Sequence, residues 1–438
     1  MKIGFISLPV FGHLNPMTAL ARELRFRQHD VVFISLPDTE PFVSRVAKLP
    51  FLPCCEKDLP SGAMKEVARQ ISLRQGHEAL EFTLRSIASM TDSLLDSLPG
   101  ILEKAEIDAL VLDTYHFYME LVPIRLGMPY AHLSNALHFD YSGYTPLCIY
   151  DWPHERTSEA LTRNRKGVAS FMEILRRTNP RAVQYAKQAG IKLNSDSYNT
   201  ISKLAWITQM PKEFDFESSH WSSTLHHTGP FLDLAGRMKE DFPWEQITGQ
   251  PIIYASMGTL QNGVASVYHE IVTAVEKQKD MQLVLSIGNH VDRKEIGSLP
   301  GNAIVVNHAP QFELLQRASV CITHAGLNTV LECLFNGVPQ VAIPVTHDQP
   351  GVAARIADKK TGLVMPLKDL NASRLGLLLD EALTNPIYRE NTRYFQKSLA
   401  EYSGLSVAAE LLENAFGLTK ASDNSAKWAP ARRLLLAK

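Results

Sequence analysis

The chain has 438 residues, enough for two cores of ordinary size. Lys and Arg number 44 against 46 Asp and Glu, so the formal charge of −2 offers no general basic surface for nucleic acid. No stretch approaches the ~20 apolar residues of a membrane span, and five cysteines without a CxxC pair read as buried, reduced thiols of a cytoplasmic protein.

Lys2 to Leu8 and Val31 to Leu36 read as strands. Between them Met17, Leu20, Ala21 and Leu24 fall on one helical face, with Asn15 as cap and Pro16 at the first helical position. This is an opening β-α-β unit whose turn lacks G-x-G-x-x-G, so the dinucleotide fingerprint is absent. His13 lies on that turn, where a helix dipole disfavours the imidazolium and leaves a neutral ring able to accept a proton. Ala109 to Leu112 is the next clear strand and Asp113 ends it, with Asp108 and Asp38 as competitors for the role of partner to His13.

Pro60 to Arg125 is otherwise helical, interrupted at Pro99-Gly100, and Met128 to Leu133 is a strand. Asn135 to Trp152 is an aromatic loop, and loops of that length at strand ends carry function or packing. Phe11, Phe139, Tyr144 and Phe171 are candidates for an apolar acceptor pocket, with core packing as the competing account. Strands over Ile201 to Gln209 and Trp221 to His227 close a first domain, 1–227, and residues 228–250, with Gly229-Pro230, read as a linker.

The second domain, 251–416, opens with strand Pro251 to Ser256 and the turn Met257-Gly258-Thr259. Further strands are Gln282 to Ile287, Ala303 to Val306, Ser319 to Thr323, Val338 to Pro344 and Thr361 to Val364. After the fourth of these six, His324-Ala325-Gly326 allows a tight turn, Asn328 reads as an N-cap, and the helix runs to Phe335. Such a helix start is a site for phosphate, with donors from His324, Asn328 and Thr329. Glu332, one turn on, is suited to the two hydroxyls of a ribose, and Asp348 with Gln349 to those of a sugar. Helices continue to about Phe416, and the tail 417–438 has a polar stretch, Lys420 to Lys427, then a basic, apolar end, Trp428 to Lys438. That tail is expected to be solvated or docked on the first domain, and peripheral membrane contact is not required.

The run T-H-A-G-L-N-T-V-L-E, followed by G-V-P and D-Q, resembles the signature of UDP-sugar-dependent glycosyltransferases with the GT-B fold, and F-G-H-L-N-P resembles their N-terminal motif. The resemblance implies an α/β protein of two Rossmann-like, doubly wound parallel-sheet domains facing across a cleft. It implies His13 as general base with Asp113 as its partner. The donor site would comprise Gly12, Thr259, His308, Ala309, Gln311, His324, Gly326, Leu327, Asn328, Thr329, Glu332, Asp348 and Gln349. His308 stands where the family has a Trp that stacks on uracil. The expected reaction is inverting transfer of a hexose, glucose first, from UDP to a hydroxyl of a lipophilic acceptor such as a carotenoid, flavonoid or sterol. It would use neither metal nor cofactor, and the sequence sets no oligomeric state. Y-A-S-M-G-T-L-Q and D-Q-P-G-V-A-A-R-I resemble most the bacterial carotenoid (zeaxanthin) glucosyltransferases. The competing readings are a nucleotide-sugar epimerase of the same architecture and an inactive nucleotide-sugar binding protein.

Overall fold

The computed structural model describes residues 1–195, 197–260 and 262–418. Two parallel sheets organise it. The first contains β1 (Lys2–Ile6), β2 (Asp30–Ser35), β3 (Phe51–Pro53), β4 (Ala109–Asp113), β5 (Tyr130–Ser134), β6 (Trp206–Thr208) and β7 (Leu225–His227), in the order 3-2-1-4-5-6-7. The second contains β8 (Ile252–Ser256), β9 (Gln282–Ser286), β10 (Ile304–Val306), β11 (Ala318–Thr323), β12 (Gln340–Ala342) and β13 (Gly362–Val364), in the order 10-9-8-11-12-13. Helices cover both faces, so the central strands bury every side chain: β4 (ALVLD) and β8 (IIYAS) are continuous apolar runs without alternation. Each sheet reverses its winding once, between β1 and β4 and between β8 and β11. At such points a crevice opens outside the carboxyl ends of the strands.

Several expected boundaries moved. Helix α1 (Phe11–Phe26) begins five residues before Pro16, so His13 lies within its first turn and Val10, not Asn15, precedes it. Pro99-Gly100 does not interrupt α2 (Gly76–Lys104), because the buried row Leu94, Leu95, Leu98 and Leu102 continues through it and packing outweighs the lost hydrogen bond. Only Trp206–Thr208 of the strand expected over Ile201 to Gln209 pairs. The Ser202 hydroxyl accepts from the N–H groups of Leu204 and Ala205 and folds the preceding residues into a turn. Strand β3 went unread because three residues carry no period.

Helix α3 (Leu327–Asn336) takes Gly326, not Asn328, as its cap residue, and α4 (Gln349–Asp358) starts directly after Asp348. The last described helix, α5 (Gly404–Ala415), leaves the second sheet. Its Ala408, Ala409 and Leu412, with Phe416, pack among Ile3, Phe5, Leu20 and Val31, while Glu413 bonds Arg27 and His29. The unit expected to run to 416 therefore gives this helix to the core of the first sheet. The stretches Lys420 to Lys427 and Trp428 to Lys438 lie outside the described residues. Among the described residues no helix is long and apolar enough to cross a membrane.

Candidate active site

His13 and Asp113 meet at the switch point of the first sheet, Nδ1 to Oδ2 at 2.7 Å. Asp113 is buried and further held by the N–H groups of Leu8 and Tyr115 and the hydroxyl of Ser7. Burial of His13 lowers its pKa, but the charge and hydrogen bond of Asp113 outweigh it, helped by Asp348, and the net shift is upward from 6.5. The helix dipole alone predicts the opposite; the carboxylate decides the sign. Burial likewise opposes ionisation of Asp113, yet His13 holds that carboxyl below its ordinary 3.8.

The two lobes touch one residue away from this dyad. Pro16 lacks the N–H that would bond the Gly12 carbonyl four residues earlier in the helix, and that carbonyl instead accepts the Asn328 amide at 2.7 Å. Asn328 Oδ1 in turn accepts from Gln209. The N-terminus of α3 is thereby fixed beside His13. Between the lobes Asp348 also accepts from the N–H of Leu137 at 3.0 Å; its carboxyl is raised above 3.8 by burial, against opposing contributions from that N–H and from His13.

At the second switch point His324 follows β11. A Cβ built on Gly258 or Gly326 would stand 2.6 or 2.4 Å from its ring, so only glycine permits this packing. Burial lowers its pKa to about 4, and its Nδ1 is buried without a hydrogen-bond partner among the described residues. Glu332, one turn down α3, accepts Gln311 Nε2 at 2.8 Å on one oxygen and Arg237 on the other. Thr329 accepts a longer bond, 3.4 Å, from the same Gln311 amide. Gln349 accepts from the N–H groups of Val345 and Thr346, ordering the turn before α4. His308 and Ala309, half-buried, follow β10, and Leu327 is buried at the start of α3. Thr259 is exposed on its turn.

Of the aromatic candidates, Phe139 and Phe171 stack at 5.3 Å, Phe139 lies 4.7 Å from Tyr115, and Tyr115 meets the His13 ring edge at 5.3 Å. A chain of rings thus leads from the helical layer to the dyad. Tyr144 stands outside it, stacked on His220 with Arg165 over its face, and Phe11 is 41% exposed against Phe42. Sequence reading missed Gln209, Leu137, Arg237 and His116, each far in sequence from the group it faces or, for His116, without a motif. It also missed the buried group of His138, Asp215 and His227, whose ligand-type atoms lie within 4.8 Å of one another. Arg355 from α4 holds Asp215 Oδ1 at 2.7 Å, and despite burial that charge keeps the carboxyl far below its ordinary range. The guanidinium already balances the aspartate and would repel a cation, so this group reads as a bridge between lobes.

Residues 232–397 match the family described as UDP-glucoronosyl and UDP-glucosyl transferase. An uncharacterised UDP-glucosyltransferase of Bacillus subtilis, YojK, is 34% identical over 421 residues, 94% of this chain and 95% of its own. The chain belongs to the UDP-glucoronosyl and UDP-glucosyl transferase family. A zeaxanthin glucosyltransferase of Pantoea ananas is 26% identical over 409 residues, 93% of this chain and 94% of its own. Among solved structures, the glycosyltransferase of kitacinnamycin superposes with a TM-score of 0.73 at 22% identity, covering 94% of this chain and 98% of that one. The calicheamicin glycosyltransferase CalG4 gives 0.69 at 19%, covering 95% and 98%. Both show the GT-B fold, with its two parallel-sheet domains. The chain is thus a glycosyltransferase, an enzyme that moves a sugar from a nucleotide donor to an acceptor.

Proposed function

We propose that this transferase moves glucose from UDP to a hydroxyl of a lipophilic small molecule, with inversion and without a metal. The observation that carries the reading is the His13–Asp113 pair at 2.7 Å, one residue from the carbonyl that receives Asn328 at the start of α3. In this reading His13 takes the acceptor proton, Asp113 holds the resulting imidazolium, and the hydroxyl attacks the anomeric carbon as the diphosphate leaves from the opposite side. The neutral imidazole of His324 and the first N–H groups of α3 receive the charge on the leaving group, and Asp348 and Gln349 receive the hexose hydroxyls. Glu332 receives the ribose and His308 stacks on the base. With no Asp-x-Asp near the site, these protein donors stand in for a metal.

The lipophilic acceptor rests on the ring chain Phe171, Phe139, Tyr115 beside His13, and on the relatives named zeaxanthin glucosyltransferase. Phe171, Phe139 and Tyr115 are themselves buried in the core of the first lobe and border the dyad without lining an open cavity, so the choice among carotenoid, flavonoid-like and sterol-like alcohols falls to the screen. All five cysteines are free and buried, in keeping with a reducing cytoplasm. The test is a mass-spectrometric screen of UDP- and TDP-hexoses against hydroxylated lipophiles. A hexose mass gain with UDP-glucose, carrying the opposite anomeric configuration and persisting in EDTA, is the expected result. Retention, loss of activity in EDTA, or transfer confined to polar acceptors would overturn the corresponding part.

A further inference from the structure

Glu332 is almost fully buried, yet both of its carboxylate oxygens are paired: one with Gln311 on the same lobe, the other with Arg237 from the connection between lobes. Arg237 is delivered there by an anchored segment. Asp233 caps the turn Leu234–Gly236 through the N–H of Gly236, and Arg22 of α1 grips Asp233 at 2.6 Å. A Cβ on Gly236 would stand 2.5 Å from the Asp233 carboxylate and 3.1 Å from the Arg22 side chain, so a larger residue there would push against this grip. The arginine is thus tied to the first lobe while its head group serves a carboxylate of the second.

We propose that Arg237 is a donor-selectivity residue that lets the pocket accept 2′-deoxyribose nucleotides beside ribose ones. The proposal rests on the reading of Glu332 as the ribose carboxylate. A ribose brings two hydroxyls, one for each oxygen of Glu332, and the 2′-hydroxyl takes the place of the guanidinium. A 2′-deoxyribose brings one. In a pocket without the arginine the second oxygen would then be buried with no donor, which weakens binding by about tenfold or more. With Arg237 in place that oxygen keeps its partner, and the deoxy donor escapes the penalty. The arginine is 27% exposed, so its head group passes to water when a 2′-hydroxyl takes its place on the buried carboxylate.

Calorimetric titration of the full chain with UDP and with 2′-deoxyuridine diphosphate isolates the 2′-hydroxyl. The wild type is expected to bind the two within about fivefold of each other. In Arg237→Met the ratio of deoxy to ribo Kd widens by about tenfold or more, with circular dichroism and Tm confirming the fold. A wild-type ratio above about a hundredfold, or a ratio that Arg237→Met leaves where it was, overturns the proposal. A purely structural role of Arg237 would weaken both nucleotides alike and leave that ratio fixed. Glu332→Gln separates the two ideas: if it leaves UDP affinity untouched, the ribose assignment itself has failed. If UDP weakens by tenfold or more while Arg237→Met does not move the ratio, only the selectivity role has failed.

Discussion

His13 and His324 stand at the switch points of the two lobes but on different strands of the shared pattern: His13 follows β1, the counterpart of β8, and His324 follows β11, the counterpart of β4. Each follows a strand at the point where its sheet reverses winding, and each adjoins the start of a helix. Their electrostatics are opposite. His13 rests on a buried carboxylate and its pKa rises, whereas His324 has no carboxylate within bonding distance among the described residues and its pKa falls to about 4. The same residue type beside a switch point therefore yields a ring suited to receiving a proton in one lobe and a ring kept neutral beside a helix N-terminus in the other. What distinguishes them is a single partner contributed by the neighbouring strand.

The harshest test of this contrast removes each ring in turn. His13→Ala is expected to lower kcat by roughly 10²- to 10⁴-fold while UDP binding persists. His324→Ala is expected to weaken UDP by calorimetry as well as turnover. Equal losses of nucleotide affinity in the two variants would erase the distinction.

Removing the carboxylate makes His13 resemble His324. In the wild type the base form exists above the raised pKa, so kcat/KM should fall as pH drops through a value above 6.5. Asp113→Asn removes the main contribution that raises the pKa and leaves burial, which lowers it, opposed by Asp348 alone, so the acid limb should move below 6.5 while the plateau falls by about tenfold or more. A limb that stays in place would show that another group controls it.

A third expectation concerns stability. His116, buried beside Asp113 with neither ring nitrogen bonded among the described residues, has its pKa lowered to about 4 by burial, as His324 does. A histidine whose pKa falls on folding is protonated more readily in the unfolded chain. Its contribution is therefore complete above about pH 6.5 and is lost as pH falls toward 4. For His116 the loss is on the order of 3 kcal/mol at most. Thermal melts at pH 7 and pH 4.5 should show Tm falling, and His116→Phe should flatten the slope. An unchanged slope would mean that the His116 ring is already charged or solvated in the native state.

Both histidines, Asp113 and the donor-side motif were legible because each sits on a run of small and polar residues at the end of a hydrophobic strand. A parallel sheet buries such strands completely and leaves their ends to chemistry. The groups that pair with these residues were not legible. Gln209 meets Asn328, Leu137 meets Asp348 and Arg237 meets Glu332 across 119, 211 and 95 residues. Periodicity reports which face of an element is buried and carries no information on what lies opposite it. Propensity misled at Pro16 and Pro99, where a proline taken for a boundary lies inside a helix. At Tyr144, aromatic character suggested a pocket and the ring instead stacks on His220.

Pro16 also supplies the subtlest probe of the contact between lobes. Pro16→Ala restores an N–H directed at the Gly12 carbonyl, so the helix can reclaim the acceptor that now holds Asn328. A carbonyl has two lone pairs, and the competition is partial. The expected effect is a rise of about two- to fivefold in KM for the nucleotide sugar, with Tm unchanged or slightly higher because alanine suits a helix interior. Asn328→Ala should give a larger rise, and Pro16→Ala added to it should change KM little further, since the two act through one hydrogen bond. Fully additive effects in that double variant would mean that the missing N–H and the contact between lobes are independent.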